Sequence, residues 1–159
     1  MCQLFPYDVF MTTEWLTDEQ QRIWRNWLRL NRELNATLAR DMAAASDLSM
    51  ADFAVLVKLT DVPSGRVRIS ELADELGWER SRVSHQLKRM QGRGLVERSE
   101  CVEDGRGSFV GITEEGRETI GAAAPGHVES VRRLVVDHLT PEEYADLGRL
   151  TDRLLEALD

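Results

Sequence analysis

Between Ser70 and Ile112 the hydrophobic period of the chain changes from helical to two, and few small folds accommodate that change. Ser70 is read as the cap of a short helix, Glu71–Leu76, with Leu72, Ala73 and Leu76 turned inward and Gly77 as its C-terminal stop. After a short turn, a second helix is predicted over Arg80–Gln91. Its inward residues are Val83, Leu87 and Met90, in steps of four and three, and Gly92 and Gly94 close it. Leu95–Cys101 and Phe109–Ile112 alternate as strands, joined by turn chemistry at Glu103-Asp104-Gly105-Arg106-Gly107. Arg66–Ile69 reads as a short extended piece ahead of the first helix. Short helix, turn, second helix and hairpin in this order specify a winged helix-turn-helix. The expected class is mainly α with a small β-hairpin wing (α+β).

Long helices flank this middle. Thr17 with Gln20 fits a capping box, and Asp18 and Glu19 suit the positive helix N-terminus. Ile23, Trp27, Leu30, Leu34, Leu38 and Met42 then form one apolar stripe, widened by Trp24 and Leu28. A stripe of five turns suits either a core-facing helix or one that also packs on a second subunit. A helix over Ala51–Leu59 ends at Val62-Pro63-Ser64-Gly65. Thr113 caps a helix that Pro125-Gly126 should kink or briefly interrupt, with Val128, Val131, Leu134 and Val135 resuming its apolar face. Thr140-Pro141-Glu142-Glu143 combines an N-cap, a proline at the first helical position and a capping-box Glu. The helix it opens carries Tyr144, Leu147, Leu150, Leu154 and Leu158 on one side. The division is then 1–16 as an N-terminal tail, 17–48 and 113–159 as flanking helices, and 49–112 as the winged helix-turn-helix. Translation from Met1 or from Met11 fits equally well.

Other classes of protein are poorly supported. No run approaches 18 consecutive apolar residues, so no membrane span is expected. The first sixteen residues contain no Lys or Arg and no A-x-A-like cleavage site, unlike a secretory signal. Cys2 and Cys101 cannot build a disulfide framework, so a reduced cytoplasmic setting is expected. His85, His127 and His138 lack metal-ligand spacing, and no nucleophile elbow, P-loop or dinucleotide fingerprint occurs. No catalytic activity, metal or cofactor is expected.

The overall charge of -8 conceals a separation. Residues 1–61 carry 6 basic and 9 acidic side chains, and residues 113–159 carry 5 and 11. Within 79–98, Arg80, Arg82, Lys88, Arg89, Arg93 and Arg98 face only Glu79 and Glu97. Exposed charges more than about 10 Å apart are largely screened at 0.1 M salt, so a polyanion responds to the local island and not to the total. Charge alone fits a phosphate-binding surface and an ordinary solvated face equally.

The pattern of the second helix narrows the choice. With Val83, Leu87 and Met90 inward, its opposite face shows Ser81, Arg82, Ser84, His85 and Lys88. A helix fits the B-DNA major groove, where Arg and Lys are the usual readers of guanine O6 and N7. Helix N-termini, here near Ser70 and Arg80, bind phosphate through free backbone N–H groups. Arg89 adds charge on the flank. Arg106, at the hairpin tip and oriented by Asp104, is placed to enter a narrow minor groove. The expected DNA-contacting set is Ser70, Arg80, Ser81, Arg82, Ser84, His85, Lys88, Arg89 and Arg106. The competing reading is a winged helix that binds protein and never touches DNA.

The chain resembles the MarR (multiple antibiotic resistance regulator) family of bacterial transcription factors over about residues 18–157. The resemblance rests on Ile69-Ser70-Glu71-Leu72-Ala73, Ser81-Arg82-Val83-Ser84, Leu87-Lys88-Arg89-Met90 and Gly94-Leu95-Val96. It continues through Asp104-x-Arg106, Ile112-Thr113-Glu114-Glu115-Gly116 and Leu139-Thr140-Pro141-Glu142-Glu143. It implies a homodimer whose first and last helices form the interface, here through Trp24, Trp27, Leu147, Leu150 and Leu154. It implies a recognition helix near 80–91, a wing near 97–112, and a repressor that binds a pseudo-palindrome with half-sites roughly 34–36 Å apart. It also implies a small-molecule pocket between the dimer helices and the DNA-binding lobe. Trp15, Trp24, Trp27 and Phe53 read either as core or interface residues or as the lining of a pocket for a phenolic or other apolar effector. Two features depart from the family pattern. His85 stands where an arginine is more usual, which alters base reading and introduces a side-chain type that titrates between pH 5 and 8. The wing carries one arginine, where relatives often have more. Cys101 has no nearby cysteine or flanking base, so it reads as an incidental thiol and not an oxidant sensor.

Overall fold

The fold is that of a computed structural model, which describes residues 14–100 and 108–158. The chain divides into two compact units at the Ala36–Thr37 junction, which helix α1 (Asp18–Ala45) runs through.

In the first unit, the start of α1 is set by the predicted capping box. Thr17 N–H donates to Gln20 Oε1 at 2.8 Å, and Gln20 N–H donates to Thr17 Oγ1 at 3.2 Å. Arg22 pairs with Glu19 one turn earlier at 2.6 Å, which holds the Glu19 carboxyl below the usual carboxylate range and raises Arg22. Ile23, Trp24, Trp27, Leu28 and Leu30 are all exposed.

The second unit contains the core. Helix α2 (Met50–Thr60) buries Phe53, Val55, Leu56 and Leu59; α3 (Ile69–Leu76) buries Leu72 and Ala73; α4 (Arg80–Gly92) buries Val83, Leu87 and Met90. Strands β2 (Val96–Glu100) and β3 (Ser108–Ile112) add Val96, Val110 and Ile112, while α5 (Glu114–Leu134) adds Ile120 and Ala123. A short 3-10 turn, Val136–His138, leads to α6 (Pro141–Glu156), capped as expected by Thr140 and Glu143.

The sheet has one more strand than a hairpin. Strand β1 (Arg66–Arg68) pairs antiparallel with β3, giving the order β1-β3-β2. Arg68 lies opposite Phe109, and Arg98 of β2 lies opposite Val110. Gly65 at φ 64 directs the chain into β1, and its carbonyl accepts from Ile112 N–H at 2.9 Å. The extended piece is therefore part of the sheet that carries the wing.

Two local expectations are corrected. Ser70 is not a cap, because α3 begins one residue before it. Arg68 is the N-cap, and its N–H donates to Glu71 Oε2 at 3.3 Å, which places Ser70 inside the first turn. Pro125 does not interrupt its helix, since α5 runs unbroken through it. The helix is anchored on both sides of the proline: Ile120 and Ala123 enter the core before it, and Ser130 and Arg133 bond to Asp41 beyond it at 2.8 and 2.6 Å. That packing outweighs the loss of one backbone hydrogen bond.

Candidate nucleic-acid interface

The recognition surface begins with a tight turn. Gly77 takes the left-handed conformation at φ 61, its N–H donates back to Asp74, and Trp78 N–H donates to the Ala73 carbonyl at 2.9 Å. This ends α3 and lets α4 start at Arg80. On α4, Val83, Leu87 and Met90 are buried, so the helix can turn only one way. Arg80, Ser81, Arg82, His85, Lys88 and Arg89 are exposed and Ser84 is half-buried, as the period requires. Glu79, the N-cap, makes no side-chain bond to the first-turn N–H groups, which leaves the positive helix end available to an anion.

The other members of the expected set divide three ways. Ser70 is exposed on the first turn of α3. Arg89 is exposed but donates to Gln86 Oε1, which tethers it to the inner side of the helix. Asp104 and Arg106, like Cys2 and Cys101, lie outside the described residues.

Tertiary structure adds cations that local pattern did not single out. A hollow of about 290 Å³ is lined by Arg68, Ser70, Arg80, Ser84, Arg98 and Ser108, together with Ile69. It joins β1, the first turns of α3 and α4, and the base of the wing. Three arginines and three serines lining one hollow suit a phosphodiester, because Arg presents forked donors to phosphate oxygens. Arg66 and Arg68 also lie over the Phe109 ring, at 4.5 and 5.0 Å from its centroid, and Arg82 lies over Trp78 at 4.1 Å. The alternation Arg66-Val67-Arg68 was a usable signal for two of these residues. The approach of Arg98 to Arg80 had none.

A buried polar network holds α4 from behind. Asp52 is 4% exposed. Its carboxylate accepts from Gln86 Nε2 at 2.5 Å, Arg93 Nη1 at 2.9 Å, and Ser49 N–H and Oγ at 2.9 and 2.8 Å. Arg93 also donates to the Asp47 carbonyl at 2.7 Å. The N-terminus of α2 and the inner side of α4 are thus locked together, which fixes the presentation of the outward side chains. Ser49-x-x-Asp52 is a capping-box signature legible in sequence, but its bond to Gln86 is not.

The residues expected at a subunit interface are largely exposed. Trp24 and Trp27 are 52% and 40% accessible, Leu150 and Leu154 are 50% and 57%, and Leu147 is half-buried. Of the aromatic effector candidates, Trp15 is also exposed, while Phe53 lies in the core of the second unit with its ring 4.6 Å from that of His127. Among the described residues no three potential ligands cluster to hold a metal ion, and no helix is long and apolar enough to cross a membrane.

Known proteins share this architecture over most of its length. The family model described as MarR family matches residues 48–108, from just before α2 to the first residue of β3. AbsC, a MarR family transcriptional regulator from Streptomyces coelicolor, is 41% identical, covers 92% of this chain and 98% of its own, and superposes with a TM-score of 0.86. Sco3205, a MarR family transcriptional regulator from the same organism solved in complex with DNA, is 38% identical, with 91% and 94% coverage and a TM-score of 0.86. The transcriptional regulator HosA of Escherichia coli O127:H6 is 34% identical over 110 residues, 69% of this chain and 78% of its own.

Proposed function

Because the chain belongs to the MarR family of transcriptional regulators, we propose that it binds duplex DNA as a homodimer, with α4 in the major groove and the wing beside it. The observation that carries this reading is the joining of the outward face of α4 to the Arg68–Arg80–Arg98 hollow. The first offers side chains to base edges, and the second offers a seat to the adjoining phosphate. Sco3205, the relative solved on DNA, supports the same use of the fold here.

Exposed leucines and tryptophans support the dimer, since a monomer rarely leaves so many large apolar side chains on its helices without a partner. Two copies would place their α4 helices on half-sites roughly 34–36 Å apart. A dimer over two successive grooves would exclude other proteins from the same stretch of promoter, so repression is the expected outcome. Release would follow from a phenolic or other apolar effector that favours a dimer geometry with its helices out of register. Trp15, Trp24 and Trp27 supply accessible aromatic surface for such a molecule. The site of action is the bacterial cytoplasm, and the role is regulatory and not enzymatic.

Binding of a labelled promoter duplex is to be titrated by fluorescence anisotropy across a salt series. The expected result is a linear fall of log K with log salt, at about 0.9 per phosphate neutralised. Salt-independent or undetectable binding to every duplex would overturn the proposal in favour of a protein-binding winged helix.

A further inference from the structure

Arg82 stands out among the cations of α4. Its guanidinium lies 4.1 Å from the centroid of the Trp78 ring, and among the described residues it makes no hydrogen bond or ion pair. Glu79 is three residues earlier, a spacing at which a helical arginine commonly pairs with a carboxylate, yet Arg82 stacks on the indole instead. The platform itself is held in place. Trp78 is half-buried, packs against the hydrophobic core, and donates its backbone N–H to Ala73 in the helix-turn-helix turn.

Stacking and hydrogen bonding use different parts of a guanidinium. The flat face meets the ring, while the five N–H groups lie in the plane and point outward from its edge. A stacked arginine therefore keeps its donors while losing rotamers. Helical side chains lean toward the N-terminus, which puts this edge at the leading end of α4. That end of a recognition helix is the one that meets base edges.

On the reading of α4 as a recognition helix, we infer that Trp78 is a positioning residue for sequence specificity. It holds the Arg82 fork for a bidentate contact with O6 and N7 of one guanine in each half-site. Trp78 touches no base itself and acts through Arg82. Lysine at position 82 would still stack but has no planar fork, so this specificity belongs to the Trp78–Arg82 pair.

The experiment is selection from a duplex library with a randomised centre, using the full-length wild type, Arg82→Ala, Arg82→Lys, Trp78→Leu and Trp78→Phe. The wild type should enrich guanine at one position per half-site by about 5- to 150-fold over other bases. Arg82→Ala should lose that preference while keeping those at other positions, and Arg82→Lys should weaken it, because lysine reaches the same guanine atoms without the planar fork. Trp78→Leu should reduce it by about two- to fivefold at the same position only, and Trp78→Phe should retain it. In the Arg82→Ala background, Trp78→Leu should change base preference no further. Far-UV circular dichroism checks folding, and Trp78→Met replaces the leucine variant if that one unfolds.

Wild-type base preference in the folded Trp78→Leu variant, or in Trp78→Met where that replaces it, would overturn the inference. Equal weakening at every position would also overturn it, marking a phosphate contact or general loosening. If Arg82→Ala leaves the guanine preference intact, the inference falls while DNA reading stands. If the wild type enriches no sequence, both fall together.

Discussion

Removing Asp52 tests whether α4 is held by a buried network or only by apolar packing. In Asp52→Ala, Gln86 is left buried with its amide donor unpaired, which costs about 1–3 kcal/mol. Ser49 loses the reciprocal half of its capping box, a further loss of about 0.5–1 kcal/mol on the scale of cap substitutions. The Arg93 side chain is 39% exposed and its guanidinium regains water, so its share is that of a surface pair, about 0–1 kcal/mol. The expected total is about 1.5–5 kcal/mol. Asp146→Ala is the control. Its bond to Arg149 is as short as any in the network, at 2.5 Å, but both side chains are more than 60% exposed. Its removal should cost less than about 1 kcal/mol. Burial, and not bond length, should separate the two. Urea unfolding followed by far-UV circular dichroism at one fixed protomer concentration reads the difference, because dissociation of the proposed dimer would otherwise enter the apparent stability. The m-value should be unchanged. A loss below about 1 kcal/mol for Asp52→Ala, or one equal to that of Asp146→Ala, would refute the reasoning.

Three further outcomes follow from particular contacts. A Cβ at Gly116 would collide with the Leu95 carbonyl and lie 2.9 Å from Ile112 Cγ1, so Gly116→Ala should lower stability by about 1–3 kcal/mol, measured by thermal unfolding. Arg98→Ala should reduce the salt slope of DNA binding by about 0.9 if its guanidinium seats one phosphate, with base preference unchanged in the library selection. Leu150→Asp combined with Leu154→Asp should shift sedimentation from dimer to monomer while helical circular dichroism persists, and specific DNA binding should fall with it; a dimer that survives both charges would place the interface elsewhere.

The outward face of α4 was legible because a helix converts spacing into direction: once Val83, Leu87 and Met90 are buried, Ser81, His85 and Lys88 must point away. The caps at Thr17, Thr113 and Thr140 were legible for a similar reason, since each bond spans three residues. Ser70 was misread as a cap because its neighbour Arg68 can be capped through the Glu71 carboxylate without any hydroxyl. Pro125 does not interrupt its helix: proline's local cost is knowable from sequence, whereas the packing that offsets it comes from Asp41 and the core.

Sequence alone determined most of what has its cause within about one helical turn or one strand alternation: element type, the caps at Thr17, Thr113 and Thr140, the inward face of α4, and the cationic character of its other side. Tertiary structure alone decided which distant segments share a surface. Strand β1 joined β3 across more than forty residues, bringing Arg68 beside Arg80 and Arg98. Asp52 met Gln86 34 residues away, and Trp78 became a platform only once the turn was packed on the core. Those contacts depend on loop closure and core packing, which no local period encodes.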